Sequence, residues 1–343
     1  MQMRCLRGMR LCAAIIGVSS FGTLLSHPAM AADPIRIGYI PVLGSSALFV
    51  LDGEGWAKPA GLTLKLIRFQ AGTQAIQALA AGQIDVYVAG VLPLLVARSH
   101  GIDVKVAAAG AVEELEVAAR GKLATVASPG TGLSDRFAAF TKATGRKPKI
   151  AAQPVGSVPD TLLRYWMQNR NRLDPKSADI IGIDIDAAQQ ALLSGAVDAA
   201  ILREPALTIV RHRLPDVQLL AHGGDLMPDQ PGSVLAIVRP DAPDRAVWKD
   251  KLVGMFVRAT DLIKSKPAEA APFILTFLGG GILSQSVIEE ALASPDTKFI
   301  TDPVRLMAPL KALQDFEVAN GTLKEAVPVA SLFDLGPYSR IVH

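Results

Sequence analysis

Residues 78–90, "ALAAGQIDVYVAG", and residues 191–205, "ALLSGAVDAAILREP", say nearly the same thing twice. At an offset of 113, Ala78, Leu79, Gly82 and Asp85 meet Ala191, Leu192, Gly195 and Asp198, while Ile84 meets Val197 and Val88 meets Ile201. Each copy predicts a helix stopped by glycine, then a short apolar strand with Asp at its start. The order goes on matching: a Pro, a helix and a further Asp-Val strand follow each copy. That agreement in order predicts two related α/β lobes.

Working outward, strands and helices alternate with short loops, the signature of mainly parallel sheets flanked by helices. "PIRIGYIPV", "TLKLIRF", "IDVYVAG" and "DVKVAAAG" are the strands expected in the first unit. "LATVAS", "KIAAQPV", "ADIIGID", "AVDAAIL" and "DVQLLAHG" are those expected in the second. Thr73 and Asp186 are expected to cap their helices. After "PGSVLAIVRPD" the pattern turns helical, over 244–264, 267–278, 285–293 and 303–319, punctuated by the glycines 279–281 and Gly321. The economical arrangement is a discontinuous lobe one, 33–117 with 233–343, around an inserted lobe two, 118–232.

The first 31 residues stand apart. "MQMRCLRGMR" is basic, "LCAAIIGVSSFGTLL" is apolar, and Ala29-Met30-Ala31 has the small-x-small pattern of a cleavage site. This is the layout of a secretory signal peptide cut near Ala31, and the apolar run is shorter than the ~20 residues of a membrane span. Both cysteines, Cys5 and Cys12, and three arginines fall inside this leader. Without it the chain has no cysteine, and the formal charge of +3 disappears. No basic face for nucleic acid is expected.

Ligands of open parallel sheets bind beyond the carboxyl ends of the strands, where glycine lets backbone amides approach and Ser or Thr adds a donor. The candidate loops are Gly44, Ser45 and Ser46; Gln70 and Thr73; Gly90 and Val91; Ser128, Gly130, Thr131 and Gly132; Ser157; and Arg203 with Glu204. Arg203 is the sharpest candidate, because a strand-end guanidinium can grip a carboxylate or sulfonate with two N–H groups. An ion pair with an acid at the hinge would occupy it equally well. The histidines are scattered without metal-ligand spacing, and no nucleophile elbow, complete phosphate loop or dinucleotide fingerprint is present. Neither a metal nor a cofactor is expected.

The chain resembles the periplasmic substrate-binding proteins of ABC importers for aliphatic sulfonates, taurine and nitrate, a group that includes the thiamine-pyrimidine-precursor type. The resemblance covers about residues 34–335. It rests on "IRIGYIPV", "GEGWAKPAGLTLKL", "GTQAIQALAAGQIDVYVAGVLPLLVARSHG", "GKLATVASPGTGLSDRF", "ALLSGAVDAAILREP" and "SVLAIVRPD". It implies the two-lobed periplasmic-binding-protein fold (type II), hinge closure on a small anionic ligand, delivery to a membrane permease, and a monomer without enzymatic activity. The alternative is an exported enzyme using the same cleft on a small acid or a pyrimidine-like substrate. Members often place an aromatic before Glu-Pro where this chain has Arg203. The cysteine-rich motif of the pyrimidine-synthesising branch has no counterpart after the leader.

Overall fold

The computed structural model describes residues 33–278 and 283–342. The expected leader, both cysteines and the glycines 279–281 lie outside the described residues.

The chain begins with β1 (Ile35–Tyr39), α1 (Ser46–Gly53), β2 (Leu64–Arg68), α2 (Gly72–Ala80), β3 (Val86–Gly90), α3 (Pro93–Ser99) and β4 (Val104–Ala109). After a short β5 (Ala111–Val112) it enters β6 (Glu116–Ala119), α4 (Gly121–Thr125), α5 (Leu133–Thr144), β7 (Lys149–Ala152) and α6 (Val158–Tyr165). Then come β8 (Asp179–Gly182), α7 (Ile185–Ser194), β9 (Ala199–Leu202), α8 (Ala206–Arg213), β10 (Gln218–Ala221) and α9 (Gly223–Leu226). The last part holds β11 (Ser233–Val238), α10 (Pro243–Ala246), α11 (Lys249–Ser265), α12 (Pro267–Leu278), α13 (Gln285–Ala293), β12 (Lys298–Phe299), α14 (Met307–Ala319) and α15 (Gly336–Val342).

The strands make two five-stranded sheets, ordered β2-β1-β3-β11-β4 and β10-β6-β9-β7-β8. In each, one strand runs against the rest: β11 is antiparallel to β3 and β4, and β6 is antiparallel to β9 and β10. These two are the strands that carry the chain across, β6 into the second sheet and β11 back into the first. Between the sheets, β5 pairs with β12 as a two-stranded ribbon. Fully buried β3 and β11 form the middle of the first sheet, as expected for strands covered on both faces. On one face α1, α11 and α12 seal a core around Phe49, Phe256 and Ile274, and Phe49 stacks on Phe277 at 4.6 Å.

The repeated phrase is one device built twice. Gly82 (φ 68°) and Gly195 (φ 78°) end α2 and α7 in the left-handed region that glycine enters without strain. Asp85 then accepts from the backbone N–H of Arg36 at 3.0 Å, and Asp198 from that of Lys149 at 2.8 Å. Each carboxylate also takes a two-toothed guanidinium, Arg36 on Asp85 and Arg146 on Asp198. Arg245 adds a third guanidinium contact to Asp85, at 2.8 Å. Burial would raise the Asp85 pKa, but the Arg36 hydrogen bonds and the Arg245 charge hold it below the usual carboxylate value. These aspartates fasten the amino ends of β3 and β9, opposite to the edge where a ligand would sit.

Three local expectations are corrected. "LATVAS" is not a strand: Gly121 (φ 55°) ends β6, and Leu123 and Ala124 bury one side of the single-turn α4. The strand opening the second sheet is "EVAA", whose flanking acid obscured it. Thr73 lies in the first turn of α2, where Ala71 holds the cap position. Asp186 likewise lies in the first turn of α7, after Asp184 at the cap position; it forms an exposed bridge with Arg68 at 3.3 Å, linking β2 to α7.

Candidate functional site

The carboxyl ends of four parallel strands, two from each sheet, converge on one small cavity. Ile40 follows β1, Gly90 ends β3, Gln153 follows β7 and Arg203 follows β9, and all four line it. Gly72 at the start of α2, Pro93 at the start of α3 and Ser157–Pro159 at the start of α6 complete the wall. Two sheets built by the same rule thus present their ligand edges to each other. The edges nearly touch: a Cβ on Gly90 would lie 2.7 Å from Cγ2 of Val158. The cavity measures about 10 Å³, room for about one water. A second recess of about 60 Å³ opens beside it past Arg68, Asp186, Gln189 and Arg203.

Arg203 sits in both walls and is only 4% exposed. Its Nη1 donates to Glu114 Oε1 at 2.6 Å, and the Glu114 carboxylate is itself 1% exposed. Ser233 supports that carboxylate with its hydroxyl at 3.0 Å and its backbone N–H at 3.3 Å. Burial lowers the pKa of the Arg203 guanidinium, and the charge of Glu114 opposes the shift. The pair joins the segment leading into β6 to the end of β9 and the start of β11. Arg203 Nε has no hydrogen-bond partner among the described residues. Buried donors are normally paired, so this N–H is available to an acceptor entering the cleft.

Of the expected residues of the first sheet, Gly90 lines the cavity, while Gly44, Ser45, Ser46, Gln70, Thr73 and Val91 line neither recess. Gly44 lies against Glu114 Oε2 and Ser233 Oγ with no space for a Cβ. Ser45 donates to Val88 O at 3.4 Å. Ser46 Oγ and Gln70 Oε1 are buried without a partner among the described residues, whereas the Gln70 N–H donates to Gln74 Oε1 at 3.0 Å. Val91 is buried and donates its backbone N–H to Gly232 O at 3.0 Å. Across the cleft, Ser157 caps α6 by accepting from Asp160 N at 3.4 Å. Glu204 accepts from Thr208 N at 3.0 Å, and burial, the larger influence, raises its pKa against that bond.

Residues 29–275 match the model of the NMT1-like family. The chain belongs to the NMT1-like family. A protein of Brucella abortus (strain 2308), described by name only as a binding protein, is 25% identical to this NMT1-like chain over 313 residues, 88% of this chain and 91% of that one. Among solved structures, the alkanesulfonate-binding protein SsuA from Xanthomonas axonopodis pv. citri, bound to MOPS, is similar with a TM-score of 0.70. It is 22% identical, and the match covers 89% of this chain and 100% of that one. The periplasmic nitrate-binding protein NrtA from Synechocystis PCC 6803 is similar with a TM-score of 0.76 at 14% identity, covering 90% of this chain and 88% of that one. The NMT1-like chain therefore has the α/β fold of the two-lobed periplasmic binding proteins.

One group of expected residues stands elsewhere in the NMT1-like fold. Gly130, Thr131 and Gly132 line a separate cavity of about 330 Å³ with Trp166, Asn171 and Gln218, and share no wall with Arg203. Ser128 precedes them and gives its carbonyl to Arg136 at 2.9 Å. With Leu123–Thr125 of "LATVAS" closing the short helix α4, this loop follows no strand and does not reach the convergent edge. Arg136 in that cavity donates to the carbonyls of Leu123, Ala124 and Ser128. Its charge holds the loop, and the larger cavity is the poorer anion site. Gln153 and Glu114 were missed. Gln153 directly follows β7, so the strand-end rule applied there would have found it. Glu114 sits in the apolar run "GAVEELEVAAR" and carried no signal of its own.

Proposed function

We propose that this chain is the exported solute-binding component of an ABC importer. It holds a small anionic compound, of the sulfonate, taurine or nitrate type, between its two lobes and delivers it to a membrane permease. The observation that carries this reading is the convergence of Ile40, Gly90, Gln153 and Arg203 on one cavity, with an unpartnered Arg203 N–H in its wall. The binding proteins for alkanesulfonate and nitrate that share the fold support it, and so does the leader-like amino terminus.

A cavity with room for one water admits no organic anion, so the sheets must part for entry and close on the ligand. A ligand that touches both lobes favours the closed arrangement by the difference between its affinities for the two. A thermal-shift screen of the leader-free chain against taurine, alkanesulfonates, nitrate, carboxylates and pyrimidines should return an anion, recovered chemically unchanged. Ligand bound to the folded form raises the melting temperature by mass action. Failure of every anion to do so removes the anion reading.

Gly90→Leu tests the position of the site. Gly90 has no positive φ, so the backbone accepts a side chain, but closure drives that side chain into Val158. Overpacking of this kind costs about 1–3 kcal/mol, here charged to the closed state alone, or roughly 5- to 150-fold in affinity. Calorimetry on the ligand found in the screen should show that loss with the melting temperature of the free protein unchanged. Equal affinity in the variant would place the ligand elsewhere.

A further inference from the structure

Away from the cleft, three side chains from distant parts of the sequence meet at the crossing between the sheets. Glu116 begins β6, His222 follows β10, and Asp296 lies between α13 and β12. One ligand-type atom from each lies within 4.8 Å of the others. His222 Nδ1 is 2.9 Å from Asp296 Oδ1 and 3.9 Å from Glu116 Oε2.

The second observation is the state of Glu116. Its side chain is 2% exposed, and its Oε2 has no hydrogen-bond partner among the described residues although it faces His222 and Asp296. Isolated buried carboxylates are costly unless a positive group or a proton compensates them. Arg211 does not fill this role: it approaches the other oxygen of Asp296, Oδ2, at 3.6 Å. Ser294 Oγ donates to that same Oδ2 at 3.2 Å. Asp296 is therefore held on its far side, with Oδ1 left toward His222.

We propose that Glu116 Oε2, His222 Nδ1 and Asp296 Oδ1 are three ligands of a zinc-type divalent ion. Ligand atoms about 2.1 Å from a tetrahedral zinc lie about 3.4 Å apart, and the two measured separations, 2.9 and 3.9 Å, fall on either side of that spacing. Imidazole with two carboxylates suits a transition ion better than calcium or magnesium, which favour all-oxygen sites. His222 is 55% exposed on its side chain, which provides an entry path and leaves the fourth position to water. The second oxygen of Asp296, held by Ser294 and Arg211, gives that ligand the outer support that metal sites use. An ion here ties the segment after α13, whose helix packs on α12 of the first sheet's layer, to β6 and β10 of the second. It would fasten the two sheets at their crossing, outside the cleft.

The alternative occupant is a proton shared between the two carboxylates, and the test separates the two. An untagged chain stripped with EDTA is titrated with zinc chloride in a calorimeter and melted with and without zinc. The expected result is one ion per chain and a higher melting temperature. His222→Ala and Glu116→Gln should each weaken zinc by more than about 10-fold, the loss that follows removal of even a ligand's hydrogen-bond partner. His222 is exposed enough for its variant to fold. His212→Ala, which removes an exposed histidine paired with Glu290 at 2.8 Å, should leave zinc binding intact. The proposal is overturned if the wild type takes up no stoichiometric zinc, or if its zinc survives His222→Ala or disappears with His212→Ala.

Discussion

Glu114→Ala should destabilise the folded chain by about 3–5 kcal/mol, the cost of leaving a buried charge without its partner. Arg203 cannot shed its proton at accessible pH, and its Nη1 has Glu114 as its side-chain partner at 2.6 Å. Ser233 loses its acceptor in the same variant. Glu114→Gln keeps one oxygen for Arg203 Nη1 and the Ser233 hydroxyl, which share Oε1, and loses the charge and the acceptor of the Ser233 backbone N–H, so its loss should be smaller, about 1.5–3 kcal/mol. The double variant Glu114→Leu with Arg203→Met should come back close to wild type, because a buried ion pair exchanged for apolar groups of similar volume is often neutral. Urea unfolding of the wild type, the single variants Glu114→Leu and Arg203→Met, and the double gives the coupling directly. Additivity within about 0.5 kcal/mol would mean that the two charges do not act as a unit. The double variant also divides the two roles of Arg203: it should fold and yet fail to bind the anion found in the screen.

This pair shows where the sequence is informative and where it is not. The αβ alternation and the two glycine stops can be read locally, because each depends on neighbours a few residues away, whereas the two aspartates show only as a repeated position and their partners Arg36, Arg245 and Arg146 are distant in sequence. Arg203 could be read as important for the same reason, since it ends a strand before Glu-Pro. Its partner could not, because Glu114 comes from the far side of the crossing and looks like one acid among three. His222 is similar. Spacing along the chain gave no hint of Glu116 and Asp296, which only the β6–β10 pairing and the return of the C-terminal helices bring to it. The "SPGTGLS" loop misled in the opposite direction. Its composition suits a ligand loop, but its place depends on whether "LATVAS" is a strand, and the buried strand β6, which ends at Ala119, had taken that role.

Glu317→Gln should stabilise the protein at pH 8 by up to about 3 kcal/mol and have almost no effect near pH 4. Glu317 lies on α14 and is buried against α6, where Thr161 Oγ1 donates to its Oε1 at 2.7 Å. Its Oε2 has no partner among the described residues. Burial raises the carboxyl, the Thr161 hydrogen bond lowers it, and the nearby charge of Asp160 raises it again, to about 7. In the unfolded chain it titrates near 4.5. Between these two values the folded state holds a proton that the unfolded state has lost. Stability from this group is therefore full below about pH 4.5 and falls as pH rises through about 7. At about 1.4 kcal/mol for each pKa unit, the whole interval accounts for the expected size. Glutamine keeps the acceptor for Thr161 and cannot ionise, so the variant should lack this decline. Asp85, Asp241, Asp250 and Asp296, with depressed pKa values, lose stability toward acid instead, in wild type and variant alike. The difference between the two chains isolates Glu317. Unfolding free energies in urea at pH 4, 6 and 8 measure it, and a difference that stays flat across those values would show that Glu317 titrates alike in the folded and unfolded chains. Because α6 also carries Ser157 and Val158 at the cleft, the same series run with ligand present tests whether a contact about four residues along that helix reaches the site.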